Sequence, residues 1–309
     1  MTRLKHFFKE SYQNRALIIM ALPGIILVFM FCYMPMYGIT IAFKTFNYGL
    51  GISGSPWCGF DNFKMLLTNM NVTVRIVRNT LAYYFLFTAV GTVANVALAI
   101  ALYECVFKRY AKVAQTIMIM PTFISFIAVT YIVNALLNTT NGMFNNILKS
   151  MGKSAINWYL APKYWPAILT IVNLWKGTGY GSIMYLSALS GMDQEIFEAA
   201  EIDGATKAQQ IRYITLPMLT GMISILLLLG LGGIMHSNTG LHYQVTKNVG
   251  LLYSTTQTID AYILNALTSG SSNFGMNAAV TFFQSVVGCV MVISTNLIVR
   301  RWDPDKALF

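Results

Sequence analysis

Five of the eleven carboxylates in this 309-residue chain, Asp193, Glu195, Glu198, Glu201 and Asp203, fall within eleven consecutive residues. A membrane-face catalytic centre would need such a cluster, together with a base or nucleophile beside it. No histidine or cysteine stands among these carboxylates. His6, His236 and His242 are expected not to cluster with carboxylates or cysteines, and no Ser/His/Asp arrangement stands out. The four cysteines, Cys32, Cys58, Cys105 and Cys289, fall in separate segments without metal-ligand spacing, as isolated apolar thiols do. Gly152-Lys153-Ser154 imitates the end of a phosphate-binding loop, but the required upstream glycine is Ile147 and no strand precedes it. The chain is therefore expected to hold no catalytic residue, metal or cofactor of its own.

A second constellation suits binding. Asn173, Lys176 and Tyr180 share one helical stripe, with Trp175 beside it. Aromatic faces stack on sugar rings, while amides and ammonium groups hydrogen-bond hydroxyls. These four are candidate substrate-pathway residues. The competing reading has Lys176 as a structural or gating cation and Trp175 facing lipid. Lys176 lies in the middle of an apolar run, where a charge costs a few kcal/mol unless it faces a bundle interior or cavity. Gly177, Gly179 and Gly181 alternate beside it. They fit either a bending helix or, preferably, a close helix crossing.

The elements that position these residues are membrane helices. The chain is 56% hydrophobic and only 10% charged, with mean hydropathy +0.57. A soluble domain carries about 25% charged residues. The fold class is thus an all-α polytopic membrane protein. Six apolar runs serve as spans, near residues 16–43, 79–102, 114–137, 165–189, 214–235 and 278–299. Pro23 and Pro35 are expected to bend the first and Pro121 lies in the third. The first run is too long for a cleaved signal and is read as retained. Residues 44–78 form a loop containing a short helix capped by Asp61. The segment 236–276 forms another long loop.

The net charge of +10 belongs to topology rather than to nucleic acid. With the N-terminus inside, the inner segments hold twelve of the twenty-one lysines and arginines in roughly 56 residues, and the outer loops eight in roughly 105. Both termini (1–15 and 300–309) and the carboxylate cluster then face the cytoplasm.

The cluster has helical punctuation. Asp193 can cap a first short helix, Gly204 can end it in the left-handed conformation, and Thr206 with Gln209 fits a capping box for a second. Leu216-Pro217 stands at the entry to the fifth span. Ala199 and Ala200 leave a shallow surface that another protein could approach. The bland alternative is an ordinary charged loop, which needs none of this punctuation.

Glu198-Ala199-Ala200-x-x-Asp203-Gly204-Ala205, with Ile211, Ile214 and Leu216-Pro217, resembles the EAA motif of permease subunits of binding-protein-dependent ABC importers. Ile211 departs from the aromatic residue usual there. Further stretches resemble the polysaccharide branch of sugar importer permeases: Tyr33-Met34-Pro35-Met36-Tyr37-Gly38, Ser55-Pro56-Trp57, Gly59 to Lys64, Gln115 to Ser125, Trp175-Lys176-x-x-Gly179-Tyr180 and Ile259-Asp260-Ala261-Tyr262. The loop from His236 to Gly250 departs from that branch.

The resemblance implies a transport core over 79–299 with a coupling hairpin at 192–217, in the cell membrane of a bacterium. It implies a second permease forming a heterodimer with this one, two cytoplasmic ATPases that bind ATP and Mg and dock on the hairpin, an extracellular binding protein, and an oligosaccharide as cargo. The coupling residues it implies are Glu198, Ala199, Ala200, Asp203, Gly204, Ala205, Ile211, Leu216 and Pro217. A secondary transporter or channel would instead need intramembrane carboxylates or an inverted repeat, and the six runs contain no carboxylate.

Overall fold

The computed structural model describes residues 14–269 and 273–302. Arg3, Lys5, His6, Lys9 and the tail with Lys306 lie outside the described residues. Among those described, helices dominate and the one β-type pairing is an isolated bridge between Lys44 and Trp57. Two compact units are present: the chain through Thr68 with Asn273–Phe282, and Asn69–Ser272 with the residues from Phe283 onward.

In the first unit, helix α1 (Arg15–Phe43) leaves nearly all its apolar surface exposed, as a lipid-facing span does. Pro23 sits inside regular α-helix, so the bend expected there is absent from the backbone pattern. Pro35 has a clear effect. Met34 N–H bonds back to Phe29 O, five residues earlier, and a 3-10 stretch follows to Phe43. A proline ring clashes with the carbonyl four residues before it, and a π turn moves that carbonyl aside. Helix α2 (Asp61–Thr68) corrects the expected cap: Asp61 lies in its first turn and accepts from Lys64 Nζ at 2.7 Å. The ring of Phe43 packs against Phe60, Phe63 and Phe282 at centroid distances of 5.4 to 5.6 Å.

In the second unit, α3 (Met70–Tyr103) begins nine residues before the expected span. Arg75 and Arg78, read as loop charges, are on this helix because their side chains have partners further along the chain. Arg75 donates to Gln257 Oε1 at 2.8 Å and Arg78 to Ser254 O at 3.0 Å. Asn79 donates to Gln257 O at 3.1 Å, Thr80 accepts from Ile259 N–H at 3.0 Å, and Tyr83 donates to Thr255 O at 2.9 Å. One polar stripe thus satisfies the backbone of an irregular segment that could not otherwise leave water.

The expected third span is broken. It is two helices, α4 (Lys108–Phe123) and α5 (Phe126–Leu137), bent by 99°. Ile124 is extended and Ser125 caps α5 through a bond from Ala128 N–H at 3.2 Å. A short amphipathic helix α6 (Met143–Ser150) follows, and then α7 (Trp165–Ser190), around which the unit packs. Trp165, Leu169 and Val172 lie at helical spacing against Tyr83, Val129, Val133 and Leu241, and Tyr185 and Leu189 pack with Val96, Ala99 and Leu219. Helix α8 (Gln194–Ile202), the long α9 (Lys207–Gly233) and α10 (Ile259–Thr268) complete it. Helix α11 (Phe274–Trp302) contributes to both units. Among the described residues, α1, α3, α9 and α11 are long and apolar enough to cross a membrane, with a fifth if α4 and α5 are one broken span. Helix α7 has the length, 26 residues, but Asn173, Lys176 and its glycines dilute its apolarity.

The glycines of α7 divide by role. A Cβ at Gly179 would collide with the backbone of Met118 and Ile119 on α4, whereas one at Gly177 would meet nothing within 4 Å. The close crossing with α4 therefore belongs to Gly179, while a Cβ at Gly181 would press on the Asn95 side chain of α3. Gly179→Ala is expected to abolish recovery of monodisperse protein. Gly177→Ala should be neutral or raise the melting midpoint slightly, because alanine favours helix by about 1 kcal/mol over glycine. Size-exclusion profiles and thermal melting of the two variants check this.

In the long loop after α9, His242 is buried between the rings of Tyr83, at 4.5 Å, and Phe87, at 6.0 Å. Its Nδ1–H donates to Thr256 O at 3.1 Å and Nε2 has no partner. Burial pushes its pKa down from 6.5 to about 4, against smaller opposing effects of Thr256 and Asp260. Below about pH 6.5 the unfolded chain gains a proton that the folded chain does not. Stability is then expected to fall between about pH 6.5 and pH 4, by about 3 kcal/mol in all, and to level off below. His242→Asn should flatten that part of the melting-midpoint profile.

Candidate coupling hairpin and pathway residues

The carboxylate cluster folds as the helix-turn-helix that its punctuation predicts. Asp193 caps α8, accepting from Glu195 N–H at 3.0 Å. The helix ends on Asp203, and Gly204 takes φ +81°. Gly204 N–H then reaches Glu201 O at 3.1 Å and Ala205 N–H reaches Ala200 O at 2.9 Å. This is the paired bonding of a Schellman turn, which satisfies carbonyls that the helix end would orphan. Thr206 and Gln209 form the capping box of the next helix, with Thr206 N–H donating to Gln209 Oε1 at 2.7 Å. The whole turn is thus set by local bonds.

The two faces of α8 differ. Phe197 is buried and anchors the hairpin, and Gln194 Nε2 donates to Tyr103 Oη at 2.6 Å, tying α8 to the end of α3. Glu198, Ala199, Glu201, Asp203 and Gly204 are exposed, while Ala200 and Ala205 are half-buried. Ile202, between two carboxylates, is 87% exposed. Ile202 therefore adds an apolar side chain to the exposed face that carries Glu198 and Ala199.

Beyond the capping box, Ile211 is half-buried and Leu216 and Pro217 are exposed. Pro217 acts on the backbone as Pro35 does. Leu216 N–H bonds to Ile211 O through a π turn over Ile211–Thr215, so the hairpin runs into the fifth span as one helix, Lys207–Gly233.

Lys176 is placed at the bend between α4 and α5. Its ammonium donates to Pro121 O at 3.0 Å, Thr122 O at 2.8 Å and Ile124 O, and lies 4.9 Å from the centre of the Phe126 ring. Thr122 Oγ1 returns a bond to Lys176 O at 2.7 Å. An ammonium has three donors, and all three meet carbonyls at the C-terminal, negative end of α4. Asn173 is half-buried, whereas Trp175 and Tyr180 are 43% and 62% exposed. The structure therefore separates the four candidates: the lysine clips a broken helix, and the two aromatics are free to meet other molecules.

A further polar centre forms after α9, and it corrects the expectation that His236 stands apart from carboxylates. Asp260 accepts from Ser237 N–H at 2.6 Å and lies 3.4 Å from His236 Nδ1. Gln284 Nε2 on α11 donates to Met235 O at 2.6 Å. Asp260 was legible only as part of a resemblance, since nothing local shows which backbone it will accept from.

Residues 96–304 match the family described as "Binding-protein-dependent transport system inner membrane component". Two curated proteins of Bacillus subtilis (strain 168) are each 30% identical to the chain. Protein LplB covers 95% of it and is itself covered over 91%. The polygalacturonan/rhamnogalacturonan transport system permease protein YteP covers 97% and is covered over 92%. Among solved structures, a chain of a bacterial ABC transporter involved in the import of the acidic polysaccharide alginate is 31% identical, with a TM-score of 0.84 over 96% of this chain and 99% of that one. A chain of an alginate transporter in complex with a pentasaccharide-bound periplasmic protein gives 0.83, over 95% and 97%. With the family match spanning two-thirds of its length and these relatives nearly all of it, the chain belongs to the binding-protein-dependent inner membrane components, as a permease subunit of an ABC importer.

Proposed function

We propose that this permease moves an oligosaccharide across the cell membrane, and that its hairpin from Asp193 to Pro217 receives the movement of partner ATPases. The observation that carries the coupling role is the locally fixed turn at Gly204, with an exposed outer face bearing Glu198, Ala199 and Ile202 and a continuous helix leading into the membrane. The sugar cargo is supported by relatives named for transport of polygalacturonan and rhamnogalacturonan and for import of alginate. In this reading the chain has six spans with both termini in the cytoplasm, α4–α5 and α7 supplying the third and fourth. Residues 79–299 are the transport core. The pore is completed by a second, homologous permease, and an extracellular binding protein delivers the cargo. The chain has no ATPase site of its own, and ATP and Mg are bound by two cytoplasmic partner subunits. Glu198, Ala199, Ala200, Asp203, Gly204, Ala205, Ile211, Leu216 and Pro217 form the coupling element. On the cargo side, Trp175 and Tyr180 are positioned to stack on sugar with Asn173 beside them on the same stripe, and Lys176 holds the helix that presents them.

The test is uptake of a labelled oligosaccharide, chosen by melting shifts of the binding protein, into proteoliposomes holding the permease pair. Uptake is expected only when the ATPase subunits, ATP and the binding protein are all present. Uptake by the permeases alone would instead make the chain a secondary transporter or channel.

A further inference from the structure

A cleft of about 760 Å³ opens beside the hairpin. Its walls are the end of α3, the first turns of α4, the end of α7, and the inner side of α8 with Lys207. Three lysines, Lys108, Lys112 and Lys207, line it against one carboxylate, Glu104. Gln115, Ser190 and Gln194 add neutral hydrogen-bonding groups.

The lysines on α4 are placed against the usual electrostatic preference. Lys108 and Lys112 are one turn apart on one helical face, where like charges repel. They also stand at the N-terminal end of a 16-residue helix, which already carries partial positive charge. No acidic residue lies in the first turn of α4, and Phe107 supplies no side-chain cap, so the first backbone N–H groups add to the same field. Lys108 Nζ is partly neutralised by Tyr103 O at 2.8 Å, and Lys207 Nζ reaches Gln210 Oε1 at 3.1 Å and lies 3.9 Å from Glu201 Oε2 in an exposed ion pair. The Lys112 ammonium has no partner among the described residues. A concave, polar wall on which lysines outnumber carboxylates three to one raises the local concentration of anions.

We propose that the cleft binds a phosphate-bearing anion between Lys108 and Lys112 on α4 and Lys207 on the hairpin. A phosphate monoester carries about −1.5 to −2 charges near pH 7 and three acceptor oxygens, enough to meet both walls at once. An anion so held ties α4 to the hairpin and restrains the hairpin's swing. That regulatory consequence rests on the coupling role proposed above, while the binding itself does not. Two sources share the chemistry, a soluble phosphorylated metabolite and the headgroup of an anionic phospholipid.

Cys105 lines the cleft, is half-buried, and serves as a reporter. The complete transporter is placed in phosphatidylcholine nanodiscs, and alkylation of each cysteine by N-ethylmaleimide is timed by peptide mass spectrometry. Glucose 6-phosphate or inorganic pyrophosphate at 10 mM is compared with potassium chloride of equal ionic strength. A parallel set uses nanodiscs containing phosphatidylglycerol with no added anion. Alkylation of Cys105 is expected to slow at least threefold in one or both arms, with Cys32 and Cys289 unchanged. Slowing by the soluble anions assigns a metabolite, and slowing by phosphatidylglycerol alone assigns a lipid. The effect should disappear in Lys112→Gln and in Lys207→Gln, tested singly so that one folded variant suffices. Unchanged Cys105 rates in both arms, or slowing that persists in both variants, would overturn the proposal. No ATP enters this measurement, so its failure leaves the coupling role standing, and failure of ATPase docking leaves it readable.

Discussion

Gly204→Val is expected to uncouple the importer while leaving its membrane helices folded. Gly204 holds φ +81°, and an L-residue placed there costs about 1–2 kcal/mol, more when β-branched. The two bonds of the turn, from Gly204 and Ala205 back to Glu201 and Ala200, depend on that conformation. The hairpin is exposed on its outer face and anchored chiefly through Phe197. Strain at the turn is therefore relieved by rearranging α8 relative to the capping box at Thr206, not by unfolding the spans. ATP-driven uptake and the amount of ATPase that co-purifies should both fall tenfold or more, with little change in the melting midpoint. Gly204→Asn should retain most function, because asparagine enters the left-handed region readily. Equal, near-normal coupling in both variants would mean that the turn geometry does not matter.

The second large effect is expected at Lys176. Replacing it with Met keeps the volume but removes three charge-assisted bonds to the carbonyls of Pro121, Thr122 and Ile124. Bonds to charged groups contribute about 1.5–3 kcal/mol each, and the carbonyls left behind would be stranded at a helix break. A loss of about 3 kcal/mol or more is expected, read as a melting midpoint lowered on the order of 5 °C or more. Uptake should fall in proportion to the folded fraction, with the half-saturating concentration of loaded binding protein unchanged. Tyr180→Ala gives the opposite pattern, normal stability and weakened uptake. A Lys176→Met protein of normal stability and poor uptake would return the lysine to the cargo path.

What could be read in advance follows from how far each determinant reaches along the chain. The hairpin was legible because Asp193, Gly204, Thr206 and Gln209 act within five residues of where they stand. The break of the third span was not. Pro121 marks the place, but the 99° bend is stabilised by Lys176, some fifty residues away. The early start of α3 was hidden for the same reason, since Arg75 and Arg78 resemble loop charges until their partners near Gln257 are known. Asp61 was assigned one position too early in its helix, a difference that no local pattern distinguishes when Lys64 stands ready to pair with it. Lys176 shows the limit for function. Its rarity in an apolar run marked it as important, and its contacts, not its type, separate a clip from a ligand.

The central claim is that the outer face of α8 touches an ATPase and transmits its movement. A photo-activated benzophenone maleimide attached at Ala199→Cys in the assembled transporter tests it most directly. Illumination is expected to capture the ATPase subunit, and the captured complex should lose ATP-driven uptake. Complete labelling at residue 199 that captures no ATPase, or that leaves uptake unchanged after capture, would contradict the account.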